Sequence, residues 1–465
     1  MPITEFPIDQ SGGTRVPHSI TVGPTGTDGR RWLWVTTDNN ALVQISRSDP
    51  TAQTAHTDLV PQYTAGIIKD PTDRKVVWFA SPAGPQDYDP IYEFDIDRRK
   101  IINKHNLQDD ARAQTITSVR FKTSDSPSAP VKDYILFAEP VHTNVGFVEV
   151  GQDGANYHSI PTGTDEFNTW LWSVAATVND PDTPTKYTYW VTGQAHDRPY
   201  RKTNGLYWFT PADEGAQWRR IPLPSGGSQV PIHVISGLIQ DGTDKNPYLW
   251  ISARNPNQIL RYDIKNRSWK TSSTINGEPR QLAFGPDGNI WVAGTDKIYC
   301  FEKDVSRPPV PTPSLPSGSE AYGICIDETS QVIWYTNRKT NKIGKYPIET
   351  EGKSSFGKTQ MLIQPVKSII PGSVAEVPLV AEFMADASPT PGIPLTCRIV
   401  SQEATFLDGR RECVIETDWT GQVAFPAVQA GKAEEDVVLK IGWGENEPPT
   451  TVVLHVRNEP EDDEA

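Results

Sequence analysis

No run of about eighteen apolar residues occurs in the 465-residue sequence, which excludes a membrane-spanning helix. The opening MPITEFPIDQ has neither the basic nor the apolar stretch of a secretory signal. A cytoplasmic protein is therefore expected, with secretion by a leaderless route left open. Basic residues are outnumbered: 44 Lys and Arg stand against 58 Asp and Glu, a formal net charge of −14. That balance argues against nucleic acid and anionic membranes as partners, since both need a basic surface. Four cysteines are too few for a disulfide scaffold. Cys300 and Cys325 fall in expected strands without C-x-x-C spacing, and Cys397 and Cys413 fall on segments that can be neighbours in a sandwich, as two reduced core thiols or as a disulfide. His56, His105, His142, His158, His196 and His455 lack metal-ligand spacing. EF-hand, P-loop and G-x-S-x-G patterns are also missing.

What is present is tryptophan, proline and glycine, 14, 41 and 34 residues respectively. With 36% hydrophobic residues this suits short strands joined by many turns, and the length calls for two domains or one large repeat architecture. A repeat is visible: a short apolar strand, a turn, an aromatic-rich strand, a polar loop and a third strand. Its cleanest copy is EPRQLAFGPDGNIWVAGTDKIYCFE, residues 278–302, and the last is EAYGICIDETSQVIWYTNRKTNKIGKYPI, residues 320–348. The second strand carries an anchor at Trp34, Trp78, Leu136, Trp190, Trp250, Trp291 and Trp334, at spacings of 44, 58, 54, 60, 41 and 43 residues. About 40–50 residues per unit is the spacing of a propeller blade. The expectation is a seven-bladed β-propeller over residues 1–358, its tryptophans packed between blades. ITEFPI (Ile3–Ile8) alternates as a strand and is free to supply the outermost strand of blade seven, closing the ring.

Beyond SSFGK the anchors stop. Short alternating strands with turn signals every ten to fifteen residues predict a β-sandwich over 359–458, followed by an acidic tail, 459–465, expected to be disordered. Thr417–Gly431 resembles the T-D-x-x-G-x-A motif of bacterial immunoglobulin-like domains of the intimin/invasin type, with Val423 in place of the alanine. The resemblance implies an immunoglobulin-like spacer or adhesive module, and so a protein partner reached through this domain.

In a propeller, the loops leading into the innermost strands converge at the channel mouth. Alignment of the units places His18, Ala65, Thr117, Trp172, His233, Arg280 and Tyr322 in one ring. Val16, Tyr63, Thr115, Trp170, Pro231, Glu278 and Glu320 form a second. The polar members (His233, Glu278, Arg280, Glu320, Tyr322 and His18) come from blades five, six, seven and one, facing a wall of Trp172, Tyr63 and Thr117. A polar arc opposite an aromatic wall suits a small-molecule ligand.

The units P-H-S-I-T-x-G-P, L-x-F-G-P-D-G-N-I-W-V and N-K-I-G-K resemble those of virginiamycin B lyase, the streptogramin lyase family, over Ile3–Ile348. The resemblance implies a seven-bladed propeller that opens a cyclic ester by Mg²⁺-assisted elimination. It also implies a catalytic E-x-H and a second glutamate ending W-F-T-E. The matching positions here read Glu278-Pro279-Arg280 and Trp291-Val292-Ala293-Gly294. Arginine stays protonated and cannot act as the base, and one carboxylate is a poor Mg²⁺ site.

Two readings follow. In the first, Glu278 and Glu320 share a divalent cation, His18 or His233 is the base, Tyr322 assists, and Arg280, Trp172, Tyr63 and Thr117 hold a cyclic or ester-bearing natural product. In the second, Glu278 and Arg280 form an ion pair at a non-catalytic binding mouth, and the sandwich is a spacer.

Overall fold

The computed structural model describes residues 3–8, 14–27, 30–57, 59, 64–72, 74–81, 91–107, 113–122, 131–139, 144–159, 169–178, 187–195, 204–210, 218–241, 244–285, 288–310, 312–327, 330–348, 358–363, 368–369, 371–374, 380–385, 388–389, 394–401, 403–416, 422–432, 436–442 and 450–456. Among these, the regular structure is β-strand apart from one 3₁₀ turn at Gly226–Ser228, and no helix is long and apolar enough to cross a membrane.

Up to residue 348 the described strands form seven antiparallel sheets. Their innermost strands are Pro17–Thr25, Ile67–Lys69, Thr115–Lys122, Thr169–Val178, Val230–Asp241, Pro279–Phe284 and Ala321–Asp327. We number the sheets one to seven in that order. Each innermost strand touches the next, and the seventh touches the first. Six sheets have four strands. Sheet six has three, with isolated bridges from Lys297 to Ser314 and from Cys300 to Val310 beyond its outer edge.

The anchors explain the packing. Trp34, Trp78, Trp250 and Trp334 are fully buried, and Trp190 and Trp291 nearly so. Each sits in an apolar cluster with the following sheet: Trp34 with Ile67 and Val77, Leu136 with Val174 and Val191, Trp250 with Leu282 and Val292, Trp334 with Leu33 and Val35. A buried tryptophan, or Leu136 in sheet three, therefore glues each sheet to its neighbour, at about 2–3 kcal/mol of apolar burial apiece.

The ring is closed as the sequence suggests. Thr4–Pro7 pairs antiparallel with Lys342–Pro347, placing Phe6 opposite Ile343, and the Ile8 N–H donates to the Asn341 carbonyl at 3.0 Å.

A second link recurs two residues after the anchor, where Thr36, Thr192, Ser252 and Thr336 each place a hydroxyl between two sheets. Thr336 Oγ1 accepts the Gly323 N–H (2.8 Å) and donates to the His18 carbonyl of sheet one (2.9 Å). Ser252 Oγ accepts from His233 N–H (3.2 Å) and donates to the Arg280 carbonyl (2.6 Å). Thr36 does the same between Ser19 and Ala65, and Thr192 between Ser173 and Ile232. The reason is a β-bulge. Pairing skips residues between Pro17 and Ile20, Leu171 and Ser173, Pro231 and His233, and Ala321 and Ile324, so a backbone N–H loses its ladder partner and a hydroxyl takes it. Thr336→Val, nearly isosteric, should cost about 2 kcal/mol by stranding two buried groups. Chemical denaturation would measure this, and a loss below about 0.5 kcal/mol, the size of an ordinary surface substitution, would show the link to be dispensable.

From Lys358 on, the described strands form further sheets. Ser368–Ile369, Thr450–Val456, Asp436–Gly442, Pro394–Ile399 and Glu412–Glu416 make a five-stranded sheet. Lys358–Ile363, Val380–Ala385, Ser388–Pro389 and Gln422–Ala424 make another. Ala381 and Val423 from one and Leu395, Leu439 and Leu454 from the other share one apolar core. Cys397 lies directly opposite Cys413, both buried as free thiols; burial, with Cys413 beside it, holds the Cys397 thiol well above its usual value. Residues 417–421 of the immunoglobulin-type motif and the acidic tail lie outside the described residues.

Candidate functional site

Strand register defines the mouth residue by residue. The seven anchors pair with Thr21, Ile68, Thr117, Ala175, Ile235, Ala283 and Cys325 of the innermost strands. Three positions upstream of these partners stand His18, Ala65, Gln114, Trp172, Ile232, Arg280 and Tyr322. Five of the expected ring members are thus in place, and two are corrected. Thr117 is opposite its anchor, inside the channel, because sheet three pairs without a bulge from Thr115 to Lys122. In sheet five the bulge residue is Ile232, so His233 lies one step deeper. An apolar residue at a bulge makes the alternation count start one position late. Tyr63 lies outside the described residues.

Two cavities follow. The channel, about 400 Å³, is bounded by all seven innermost strands, with Thr117, His233, Gln281 and Ser173 on its wall. The mouth cavity, about 590 Å³, is lined by Val16, Trp172, Ile232, Arg280, Glu320 and Tyr322, together with Gln194, Arg254, Thr295, Arg338 and Lys339. The second set went unnoticed in the sequence, although a signal exists. Gln194, Arg254, Thr295 and Arg338 each stand four residues after a tryptophan anchor. The second strand runs antiparallel to the first, so its far end returns to the mouth.

Charge organises the site. Glu278 pairs with Arg280 at 2.5 Å and with Arg254 at 3.2 Å, and its own N–H donates to Thr295 Oγ1 at 2.8 Å. Glu320 pairs with Lys339 at 2.9 Å, and Arg338 with Asp38 of sheet one at 3.3 Å. The Tyr322 ring is the hub: Arg338 lies 4.8 Å and Arg280 5.7 Å from its centre, and His18 meets it edge-on at 5.0 Å.

Neither histidine is poised as a base. Burial, reinforced by Arg338, holds the His18 imidazole down at about 3, and burial alone holds His233 at about 4. His233 Nδ1 accepts the Leu282 N–H at 3.3 Å, so the neutral ring carries its proton on Nε2 and serves the channel wall. The expected carboxylate pair does not fit Mg²⁺. Glu278 is held between two guanidinium groups and Glu320 by an ammonium, and no group of three or more His, Cys, Asp or Glu suited to a metal occurs among the described residues. This arrangement can hold a ligand by charge, hydrogen bonds and aromatic faces.

No family model matches the sequence, and no curated protein does. Solved structures do match. A catalytically inactive variant of virginiamycin B lyase from Staphylococcus aureus, crystallised with quinupristin, superposes with a TM-score of 0.51 at 18% identity, over 75% of this chain and 99% of that one. A streptogramin B lyase structure gives 0.50 at 16%, covering 74% and 96%. The β-propeller domain of Cps50 (Swd1) from Myceliophteria thermophila gives 0.50 at 9%, covering 75% and 100%. At such identities the likeness is one of fold: the chain contains a β-propeller of the kind seen in virginiamycin B lyase.

Proposed function

We propose that the propeller is a small-molecule-binding protein whose mouth cavity holds its ligand without the lyase-type elimination. The carrying observation is the Glu278–Arg280 ion pair, which puts a permanent cation where the lyase motif has a base. We read the seven sheets as seven blades of one ring. The C-terminal unit is read as an immunoglobulin-like sandwich that spaces the propeller or presents it to a protein partner. Its two-sheet core, and the lack of any titratable residue at the mouth contributed by it among the described lining residues, support that reading.

The cavity volume falls in the range of about 300–1,000 Å³ that encloses a small organic molecule. Trp172 supplies a flat apolar wall, and Arg280, Arg254 and Arg338 supply donors. Incubated with quinupristin and Mg²⁺, the protein is expected to leave the lactone closed by chromatography, with or without EDTA. EDTA-sensitive ring opening that disappears in Glu278→Gln would overturn the reading in favour of an enzyme. A ligand at a hundred times its Kd should stabilise the protein by about 2.7 kcal/mol in EDTA as in Mg²⁺.

A further inference from the structure

Resting on that reading of the mouth, we infer that the ligand is an organic anion, a carboxylate on an aromatic or aliphatic body, its head held between Arg280 and Arg338 over the Tyr322 ring. Four cationic side chains (Arg254, Arg280, Arg338 and Lys339) line the cavity, against one carboxylate, Glu320. The other counter-charges, Glu278 and Asp38, pair with these cations from outside the lining. Arg254 and Arg280 share the single carboxylate of Glu278, which leaves that triad with one formal positive charge. A positive cavity in a chain of net charge −14 is a local reversal of sign, and a concave site concentrates such a field.

The geometry selects a planar head group. Arg280 and Arg338 both approach the Tyr322 ring, at 5.7 and 4.8 Å, so two like charges converge on one aromatic side chain. An anion between them relieves that repulsion and accepts from both guanidinium forks. Donor capacity is also left over. Arg254 Nε and Trp172 Nε1 are buried and without a hydrogen-bond partner among the described residues, and both residues line the cavity. Trp172, Ile232 and Val16 supply an apolar part of the wall, beside the polar Gln194 and Thr295, and suit the body of the molecule.

The test is ligand-observed NMR of the full chain with matched pairs: indole-3-acetate and indole-3-acetamide, 4-phenylbutyrate and 4-phenylbutyramide. Loss of one charge-assisted contact corresponds to about a tenfold change in Kd or more. The acids are therefore expected to bind at least about tenfold tighter than their amides, with affinity falling as salt is raised. Arg280→Gln and Arg338→Gln should each weaken the acids about tenfold and the amides by much less, provided the variants keep the parent's circular dichroism and melting temperature. If acids and amides bind alike and Trp172→Ala abolishes both, the small-molecule site stands and the anionic ligand falls. If none of the four binds, both fall.

Discussion

Deleting residues 3–8 is expected to remove most of the stability of the propeller, far beyond the effect of an ordinary terminal trim. The segment contributes the outermost strand of sheet seven, four paired residues against Lys342–Pro347. It also contributes Ile8, buried in the cluster with Leu33, Val35 and Trp334 that joins the last sheet to the first. Its least expected member is Glu5. The Glu5 carboxylate is 3% exposed and accepts from Tyr335 Oη (2.8 Å), Asn337 Nδ2 (2.9 Å) and Ser319 Oγ (2.9 Å), with Lys342 Nζ at 3.6 Å. Burial, with Glu5 beside it, holds the Tyr335 phenol well above its usual value, so the hydroxyl remains a donor. Removing one partner of such a buried charged network costs about 3–5 kcal/mol, because the groups left behind are unpaired away from water. Glu5→Ala should fall in that range and Glu5→Gln should lose less, since the amide oxygen still accepts. Folded domains hold only about 5–15 kcal/mol in total, so deleting the strand should leave a chain that melts many degrees lower or fails to fold. Urea unfolding would measure both variants. A midpoint unchanged from the parent would mean that the ring is closed by other contacts.

The second large effect is acid destabilisation between pH 6.5 and 4.5. In the folded protein His18 titrates at about 3, and His233 and His56 at about 4; burial is the main cause in all three, with Arg338 adding to it at His18 and Arg99 at His56. In the unfolded chain the same imidazoles take up a proton near 6.5. Within this window the unfolded state binds more protons, so stability rises with pH and is lost as the pH falls. At pH 4.5 the pH lies about two units below the unfolded value, which corresponds to about 2–3 kcal/mol apiece for His18 and His233 and to less for the half-buried, solvent-screened His56. The depressed carboxylates of Asp97 and Asp304 act in the same direction only at lower pH, so the window isolates the imidazoles. His18→Gln should flatten the profile by about 2 kcal/mol. Equal urea midpoints at pH 7 and 4.5 would contradict the burial argument.

Much of this was legible in the sequence because blade-like repeats are local. The alternation of the innermost strand, the tight turn in GPDGN and the tryptophan of the second strand lie within some thirty residues, so their order survives insertions elsewhere. The strand character of Ile3–Ile8 was equally plain. The alternation sets His233 too high because a bulge adds a residue without changing the apolar pattern, and Thr117 too high because a count from Val119 misses the pairing that already begins at Thr115. Arg254 and Arg338 were passed over because they look like ordinary ends of strands, although their offset of four from Trp250 and Trp334 is regular.

The sequence by itself determined a repeated β architecture, the tryptophans that join its sheets, and an arginine where a base would be needed, since periodicity and side-chain chemistry are carried by single residues and near neighbours. Only the tertiary structure decided that Glu278 is shared by Arg254 and Arg280, and that Arg338 and Arg280 converge on Tyr322. The Arg254–Glu278 and Arg280–Tyr322 contacts join residues of adjacent sheets. They exist because the bulges and strand ends of separate sheets are brought to one mouth when the ring closes.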